Sequence, residues 1–205
     1  MMALHEYPLS SASYRVRIAL NLKGFDYERR SYQLRAGEQR SAEYLAINPA
    51  GLVPTLEVDG QFLTQSLAII DYLDHVRPQP ALLPHQASDR ARALAISLTI
   101  ACDIHPLNNL RVLEYLRQSL GHDESSLDQW YARWVTAGFT SVEAILAGAA
   151  RTQFAIGDAP GLADLCIVPQ VYNARRYKVD LAPFPHLVAV ADRALLHPAF
   201  QRAAP

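Results

Sequence analysis

Cysteine is scarce in this chain. Cys102 and Cys166 are the only two in 205 residues and lie far apart in sequence, which excludes a disulfide framework and a cysteine-based zinc site. Charge of one sign is not in excess either. Lys+Arg number 19 against 20 Asp+Glu, a net charge of −1, so the basic balance typical of nucleic-acid binding is missing. Long hydrophobic runs are also absent. The densest, from Ala93 to Ala101, is broken by Ser97 and Thr99 and falls well short of the roughly 20 apolar residues that span a bilayer. The opening Met1-Met2-Ala3-Leu4-His5-Glu6 has neither the basic n-region nor the long apolar stretch of a secretory leader. The positions His5, His75, His85, His122, His186 and His197 show no metal-ligand spacing. What remains is a chain that is 50% hydrophobic, ample for a packed core and opposed to disorder. At roughly 100–200 residues per domain, its length fits one large domain or two small ones. These bounds predict a soluble, reduced, cytoplasmic protein with no metal, no nucleic-acid partner and no membrane partner.

The two halves differ in pattern. In residues 1–78, Ala3–Tyr7 reads as a short strand ending at Pro8. Ser11–Lys23 reads as a helix, with Val16, Ala19, Leu20 and Lys23 on one face and Gly24 as its stop. Tyr27–Leu34 returns to strand composition. Thr55–Val58 and Gln61–Thr64 flank Asp59-Gly60, a strong hairpin signal, and Leu67–Val76 is again helical up to Arg77-Pro78. This is a small α/β unit. The proline-rich stretch that follows makes residues 79–87 a linker. Strand signals then vanish. Residues 88–205 read as an all-helical domain, with helical patterns over Asp89–Leu120, Ser126–Ala150, Leu162–Tyr177 and Phe184–Arg202. Pro106 interrupts the first of these. It marks either a helix boundary at Ile104 or a bend that turns His105, Asn108 and Arg111 toward a cleft.

Three places carry candidate chemistry. Ser10-Ser11-Ala12-Ser13 opens the first helix, where unpaired N–H groups, the positive end of the dipole and hydroxyl donors together suit an anion such as a thiolate; serine is also the ordinary N-cap residue. Val53-Pro54 precedes a strand, and a cis bond there would turn the Val53 backbone outward to pair with an extended peptide. Gln65-Ser66 precedes a helix, with Ser66 as N-cap and the helix dipole able to hold a carboxylate. Two helix N-termini and an open backbone edge in one small unit suit a small peptide with acidic ends.

Ser10-Ser-Ala-Ser-Tyr-Arg-Val-Arg-Ile-Ala-Leu20 resembles the signature of the zeta-class glutathione transferases, Ser-Ser-Cys-x-x-Arg-Val-Arg-Ile-Ala-Leu. Asn48–Pro54, Gln65–Ile70, Asp103–Asn109, Val168–Val171 and Lys178–Leu181 are similar to further segments of that family. The resemblance runs over essentially the whole chain. It implies a thioredoxin-like N-terminal domain followed by a helical C-terminal domain, a homodimer, and glutathione as cofactor. The activity it implies is glutathione-dependent cis–trans isomerisation of a maleyl-type diacid, maleylacetoacetate or maleylpyruvate, in aromatic or tyrosine breakdown, by addition and loss of a thiolate across the double bond. By the same resemblance Ser10 stabilises the glutathione thiolate and Ser11 supports it. Val53 and Pro54 meet the cysteinyl unit, and Gln65 and Ser66 hold the γ-glutamyl end. His105 and Asn109 line the glutathione site, and Arg111 and Arg176 bind the carboxylates of a small anionic substrate.

The chain departs from the family pattern in three places. Ala12 stands where the signature has cysteine. Leu9 stands where an arginine usually precedes Ser10, which brings forward a second activity, conjugation or dehalogenation of small electrophiles such as α-halo acids. Gly161-Leu-Ala-Asp164 replaces a Ser/Thr-x-x-Asp capping box, leaving Asp164 to cap alone. A third reading, a non-catalytic glutathione-fold binding protein, is opposed by the retained Ser10, Gln65 and Ser66. Elsewhere, Arg15 and Arg17 read as solvated or paired residues on a helix, Cys102 and Cys166 as unreactive core thiols, Trp130 and Trp134 as core or subunit contact, and Tyr7 as the second choice for thiol activation.

Overall fold

The computed structural model describes residues 2–148 and 152–205. The chain divides into two compact units, Met1–Leu82 with His197–Pro205, and Leu83–Leu196.

The first unit is built on β1 (Met2–Glu6), α1 (Ser11–Lys23), β2 (Tyr27–Ser31), α2 (Ala42–Ile47), β3 (Thr55–Val58), β4 (Gln61–Thr64) and α3 (Ser66–Val76). Its mixed sheet has the order β2-β1-β3-β4, with β1 parallel to β2 and antiparallel to β3. Central β1 has Ala3, Leu4, His5 and Glu6 all buried, whereas β2 lies at the sheet edge and carries Glu28, Arg29 and Arg30 toward solvent. The hairpin between β3 and β4 turns through Asp59 and Gly60, both in the left-handed region, as a two-residue turn requires. The segment expected to extend β2 to Leu34 instead leaves the sheet at Ser31 and passes through 3₁₀ turns at Leu34–Ala36 and Glu38–Arg40. Short α2, absent from the sequence reading, follows with Ser41 as its N-cap.

Helix α1 has its expected bounds and its left-handed Gly24 cap. Arg15 and Arg17, expected to be solvated or paired, take the second form: both are buried, and Arg17 is paired with Glu6. Arg15, Arg17 and Lys23 are 1%, 0% and 2% exposed, because α1 is enclosed between the sheet and other helices and its long basic side chains end on buried acceptors. Lys23 Nζ, for example, donates to the Arg77 and Pro80 carbonyls and to Asp74.

The second unit comprises α4 (Ala87–Leu98), a π-helical turn over Thr99–Ile104, α5 (Leu110–Gln118), α6 (Glu124–Ala147), α7 (Leu162–Arg176) and α8 (Pro185–Ala194). The helix boundary at Ile104 is present, preceded by the π turn, whose last bond runs from His105 N to Ile100 O. Helix α7 is the hub: Leu162–Val171 are all buried, and it packs on α4 and α8. Pro169 sits inside it. The expected reach of α6 to Ala150 falls partly outside the described residues. Cys166 is buried as expected, but Cys102 is exposed, since the π turn carries it to the outer side of the chain. Trp130 and Trp134 meet edge to face at 5.7 Å, both half-buried.

The expected helical domain of 88–205 loses its last residues to the first unit. α9 (Pro198–Ala203) packs on α1, because Asn21 Nδ2 donates to Ala199 O at 3.0 Å and Arg17 Nε to Ala203 O at 2.8 Å. Among the described residues, no helix is long and apolar enough to cross a membrane.

Candidate functional site

Ser10 caps α1. Its Oγ accepts from Ser13 N at 3.2 Å, and its own N–H donates to Tyr7 O at 2.9 Å. The hydroxyl hydrogen is thereby left to donate forward, and the first turn of α1 holds no acidic side chain, so the positive helix end stays available to an anion. Ser10 is half-buried and Ser11 buried.

The turn before β3 is held from behind. Tyr44 Oη and Asn48 Nδ2 both donate to Leu52 O at 2.7 Å, and both stand 3.2 Å from Thr55 Oγ1; burial pushes the Tyr44 phenol pKa up. The Val53–Pro54 bond is cis. Among the described residues the Val53 N–H and C=O make no backbone hydrogen bond, so both remain for an extended ligand. Gln39 lies on the neighbouring 3₁₀ turn, its backbone close to Gly51, and its buried side-chain oxygen has no hydrogen-bond partner among the described residues. Sequence reasoning missed Gln39, since nothing in composition marks a glutamine in a polar loop as buried.

Gln65, not Ser66, occupies the cap position of α3. Its φ of 68° and ψ of 115° are unusual for a residue with a Cβ, a conformation costing about 1–3 kcal/mol. The side chain makes no capping bond and is exposed. Ser66 is the first helical residue, and its Oγ accepts from Arg15 Nη1 at 3.2 Å rather than from the helix. A buried guanidinium therefore stands behind a helix N-terminus that has no acidic residue in its first turn. Arg15 is the second residue the sequence reading undervalued; helical spacing alone places it on a face without saying that the face is covered.

The sheet register brings these pieces together. His5 pairs with Thr55, and Thr55 with Thr64. The exit of β1 toward Ser10 and Ser11, the entry of β3 from Val53 and Pro54, and the exit of β4 toward Gln65 and Ser66 therefore lie at one end of the sheet. That end offers a hydroxyl donor and a free helix N-terminus, an unbonded backbone strip, and a second helix N-terminus backed by a buried cation. This donor set fits a short peptide carrying a thiol and a carboxylate.

The other expected site residues belong to the second unit. His105 ends the π turn. Asn109 caps α5, its Oδ1 accepting from Arg111 N at 3.2 Å. Arg111 is exposed in the first turn of that helix, and Arg176 is exposed at the end of α7 with its guanidinium 5.5 Å from the Tyr177 ring centre. Tyr177 in turn stacks on Tyr131 at 3.9 Å, and burial pushes the Tyr131 phenol pKa up. Asp164 works alone in the capping box as expected, and does more besides: it accepts from Gly161 N at 2.9 Å and from Ala155 N at 2.8 Å, tying the preceding loop to α7. Its burial raises its pKa to about 6 against the pull of these donors.

A thioredoxin-like unit with a cis proline before its hairpin, followed by an all-helical unit, defines a glutathione transferase fold. A family profile described as "Glutathione S-transferase, N-terminal domain" matches residues 4–81. The maleylacetoacetate isomerase of Pseudomonas aeruginosa is 48% identical over 207 residues, covering 100% of this chain and 96% of the relative. The holo structure of a maleylpyruvate isomerase, a bacterial zeta-class glutathione S-transferase, superposes with a TM-score of 0.97 at 46% identity, over 99% of this chain and 96% of that one. The maleylacetoacetate isomerase of Methylobacterium extorquens AM1, solved with malonate and glutathione bound, gives a TM-score of 0.95 at 37% identity, with 99% of each chain covered. The chain belongs to the zeta class of the glutathione transferases.

Proposed function

We propose that the protein is a glutathione-dependent isomerase that converts a maleyl-type cis diacid, maleylacetoacetate or maleylpyruvate, to its trans isomer. The observation that carries this reading is the register that sets Ser10, Val53 and Gln65-Ser66 at one end of the sheet, in a chain whose close relatives bear these isomerase names. Bound glutathione supplies the sulfur nucleophile that adds to the substrate double bond and leaves again, so it is regenerated. The chain's own residues bind and orient. The Ser10 hydroxyl and the α1 N-terminus hold the sulfur as thiolate, lowering a thiol pKa that is ordinarily about 8.5. Ser11 supports that geometry. Val53 pairs its backbone with the cysteinyl unit beside Pro54, and Gln65, with Ser66 and Arg15, receives the γ-glutamyl carboxylate.

By the family resemblance, His105 and Asn109 contribute to holding glutathione, and the exposed guanidiniums of Arg111 and Arg176 bind the substrate carboxylates, in keeping with the malonate held by a relative. Assembly as a homodimer in the cytoplasm belongs to the same proposal, supported by the family's habit and by two cysteines that are both free thiols. Spectrophotometric turnover of maleylpyruvate and maleylacetone, with and without glutathione, tests the activity; the expected result is loss of the cis isomer only when glutathione is present. Absence of that dependence rejects the isomerase. Leu9, apolar and half-buried beside Ser10, favours a second reading, dehalogenation or conjugation of α-halo acids, which halide release in the same assay detects.

A further inference from the structure

The link from β1 to α1 is held by one buried side chain. Arg17 lies seven residues beyond Ser10, two turns down the same face of α1, and its guanidinium reaches back toward the helix start. All three of its nitrogens are used, each on a different segment. Nη1 donates to Glu6 at the end of β1, Nη2 to the Pro8 carbonyl at 2.9 Å, and Nε to the Ala203 carbonyl of α9 at 2.8 Å. Glu6 turns its other oxygen to Arg29 Nε at 2.6 Å. Both members of the Glu6–Arg17 pair are 0% exposed. Such a pair is a poor source of net stability compared with apolar packing, because desolvation offsets most of the attraction, but it fixes geometry closely.

What the pair fixes is the approach to Ser10. Residues 7–10 form a turn closed by Ser10 N donating to Tyr7 O at 2.9 Å, and the Pro8 carbonyl inside that turn is the group Arg17 grips. A shift of the Pro8 carbonyl displaces the Ser10 hydroxyl, because only one residue separates them.

We propose that Arg17, backed by Glu6 and by the C-terminal helix α9, is a positioning residue that sets the Ser10 hydroxyl against the glutathione sulfur. This rests on the reading that Ser10 stabilises the thiolate. Arg17 touches neither glutathione nor substrate in this scheme; it acts through the turn. The chain's final helix, far from Ser10 in sequence, thereby becomes part of thiol activation.

The test uses full-length Arg17→Lys, Glu6→Gln and Ser10→Ala, and the double variant of Ser10→Ala with Arg17→Lys. The thiol pKa of bound glutathione is read from thiolate ultraviolet absorbance against pH, alongside kcat, glutathione Kd and Tm. Lysine keeps a charge for Glu6, but its three donors sit on one nitrogen and cannot reproduce the planar fork by which Nη1, Nη2 and Nε of arginine reach three separate segments. Arg17→Lys is expected to raise the bound thiol pKa by about one unit, leaving up to about tenfold less thiolate near neutrality, and to lower kcat in the same proportion with glutathione Kd within about threefold. Glu6→Gln is expected to shift the pKa the same way by less. In the Ser10→Ala background Arg17→Lys is expected to shift it no further, since the two act in series. A folded Arg17→Lys with an unchanged thiol pKa overturns the proposal, as does a full further shift in the double variant. If Arg17→Lys does not fold, Glu6→Gln decides by the same criterion. Ser10→Ala with an unchanged thiol pKa rejects the Ser10 reading itself, whereas a shift there beside unshifted Arg17 and Glu6 variants rejects this inference alone.

Discussion

Arg15 Nη1 stands 3.2 Å from the Ser66 hydroxyl, and both residues are buried. A guanidinium on α1 is thus held directly behind the N-terminus of α3, whose first turn carries no acidic side chain. A carboxylate arriving at that helix end gains the dipole, the serine hydroxyl and a nearby full charge together. Arg15→Met is expected to weaken glutathione binding by about tenfold or more, about 1.4–3 kcal/mol. Calorimetric titration measures this, and cysteinylglycine, which lacks the γ-glutamyl carboxylate, serves as control. If Arg15→Met weakens both ligands equally, Arg15 does not act on that carboxylate.

Gln65 presents a conflict between backbone and side chain. Its φ of 68° suits glycine, yet the side chain is exposed and makes no cap. A strained residue whose side chain makes no capping bond points to a bond made to a ligand. Gln65→Gly is expected to raise stability by about 1 kcal/mol, roughly 2–4 °C in Tm for a chain of this size. The same change is expected to weaken glutathione binding about tenfold, as loss of hydrogen bonds to a charged group does. Thermal unfolding and titration on one variant give both numbers. A loss of stability together with unchanged affinity contradicts both halves of this account.

The elements legible in the sequence are those whose signals are local. α1 lies between a serine cap and Gly24, and the hairpin turns on Asp59-Gly60; both have their observed bounds in the sequence. Ser10, Val53 and Gln65 stand out by position alone, each beside the start of an element. What stayed hidden depends on long-range enclosure. Nothing local distinguishes Arg15 or Arg17 from the surface-exposed Arg111, because the helices covering α1 lie elsewhere in the chain. The transfer of α9 to the first unit rests on α1 side chains bonding its carbonyls, which no composition shift announces. Ser66 looked like a cap because serine before a helix is one; Arg15 takes its oxygen instead.

Asp164 gives the fold a pH dependence of unusual sign. Burial raises its pKa from 3.8 to about 6, against the hydrogen bonds from Gly161 and Ala155. The folded state therefore holds this proton more tightly than the unfolded chain. Its contribution is full below the unfolded pKa of about 4 and is lost as pH rises through about 6, by an amount of up to about 3 kcal/mol. Asp164→Asn is expected to remove that slope while losing about 1–3 kcal/mol at the acid end, where one N–H donor goes unanswered. Denaturant unfolding of both proteins from pH 4 to 7 isolates the effect as a difference. An identical slope in the variant assigns the pH dependence to other groups.

Gly138 lets α6 pack closely against Ile104 of the π turn. A Cβ added there would stand 2.3 Å from both Cγ1 and Cδ1 of Ile104, itself fully buried. Alanine is worth about 1 kcal/mol more than glycine within a helix, so helix propensity alone predicts that Gly138→Ala stabilises. The contact reverses the sign. Both overlapping Ile104 atoms belong to one side chain with no room to turn, and the expected result is a net loss of about 1–3 kcal/mol. Ile104→Val shortens that side chain and alone costs about 0.5–1.5 kcal/mol. Combined with Gly138→Ala it is expected to recover part of the loss, so the double variant is more stable than the sum of the single effects allows. Additive single effects would show that α6 and the π turn adjust independently and that the glycine is not needed for their contact.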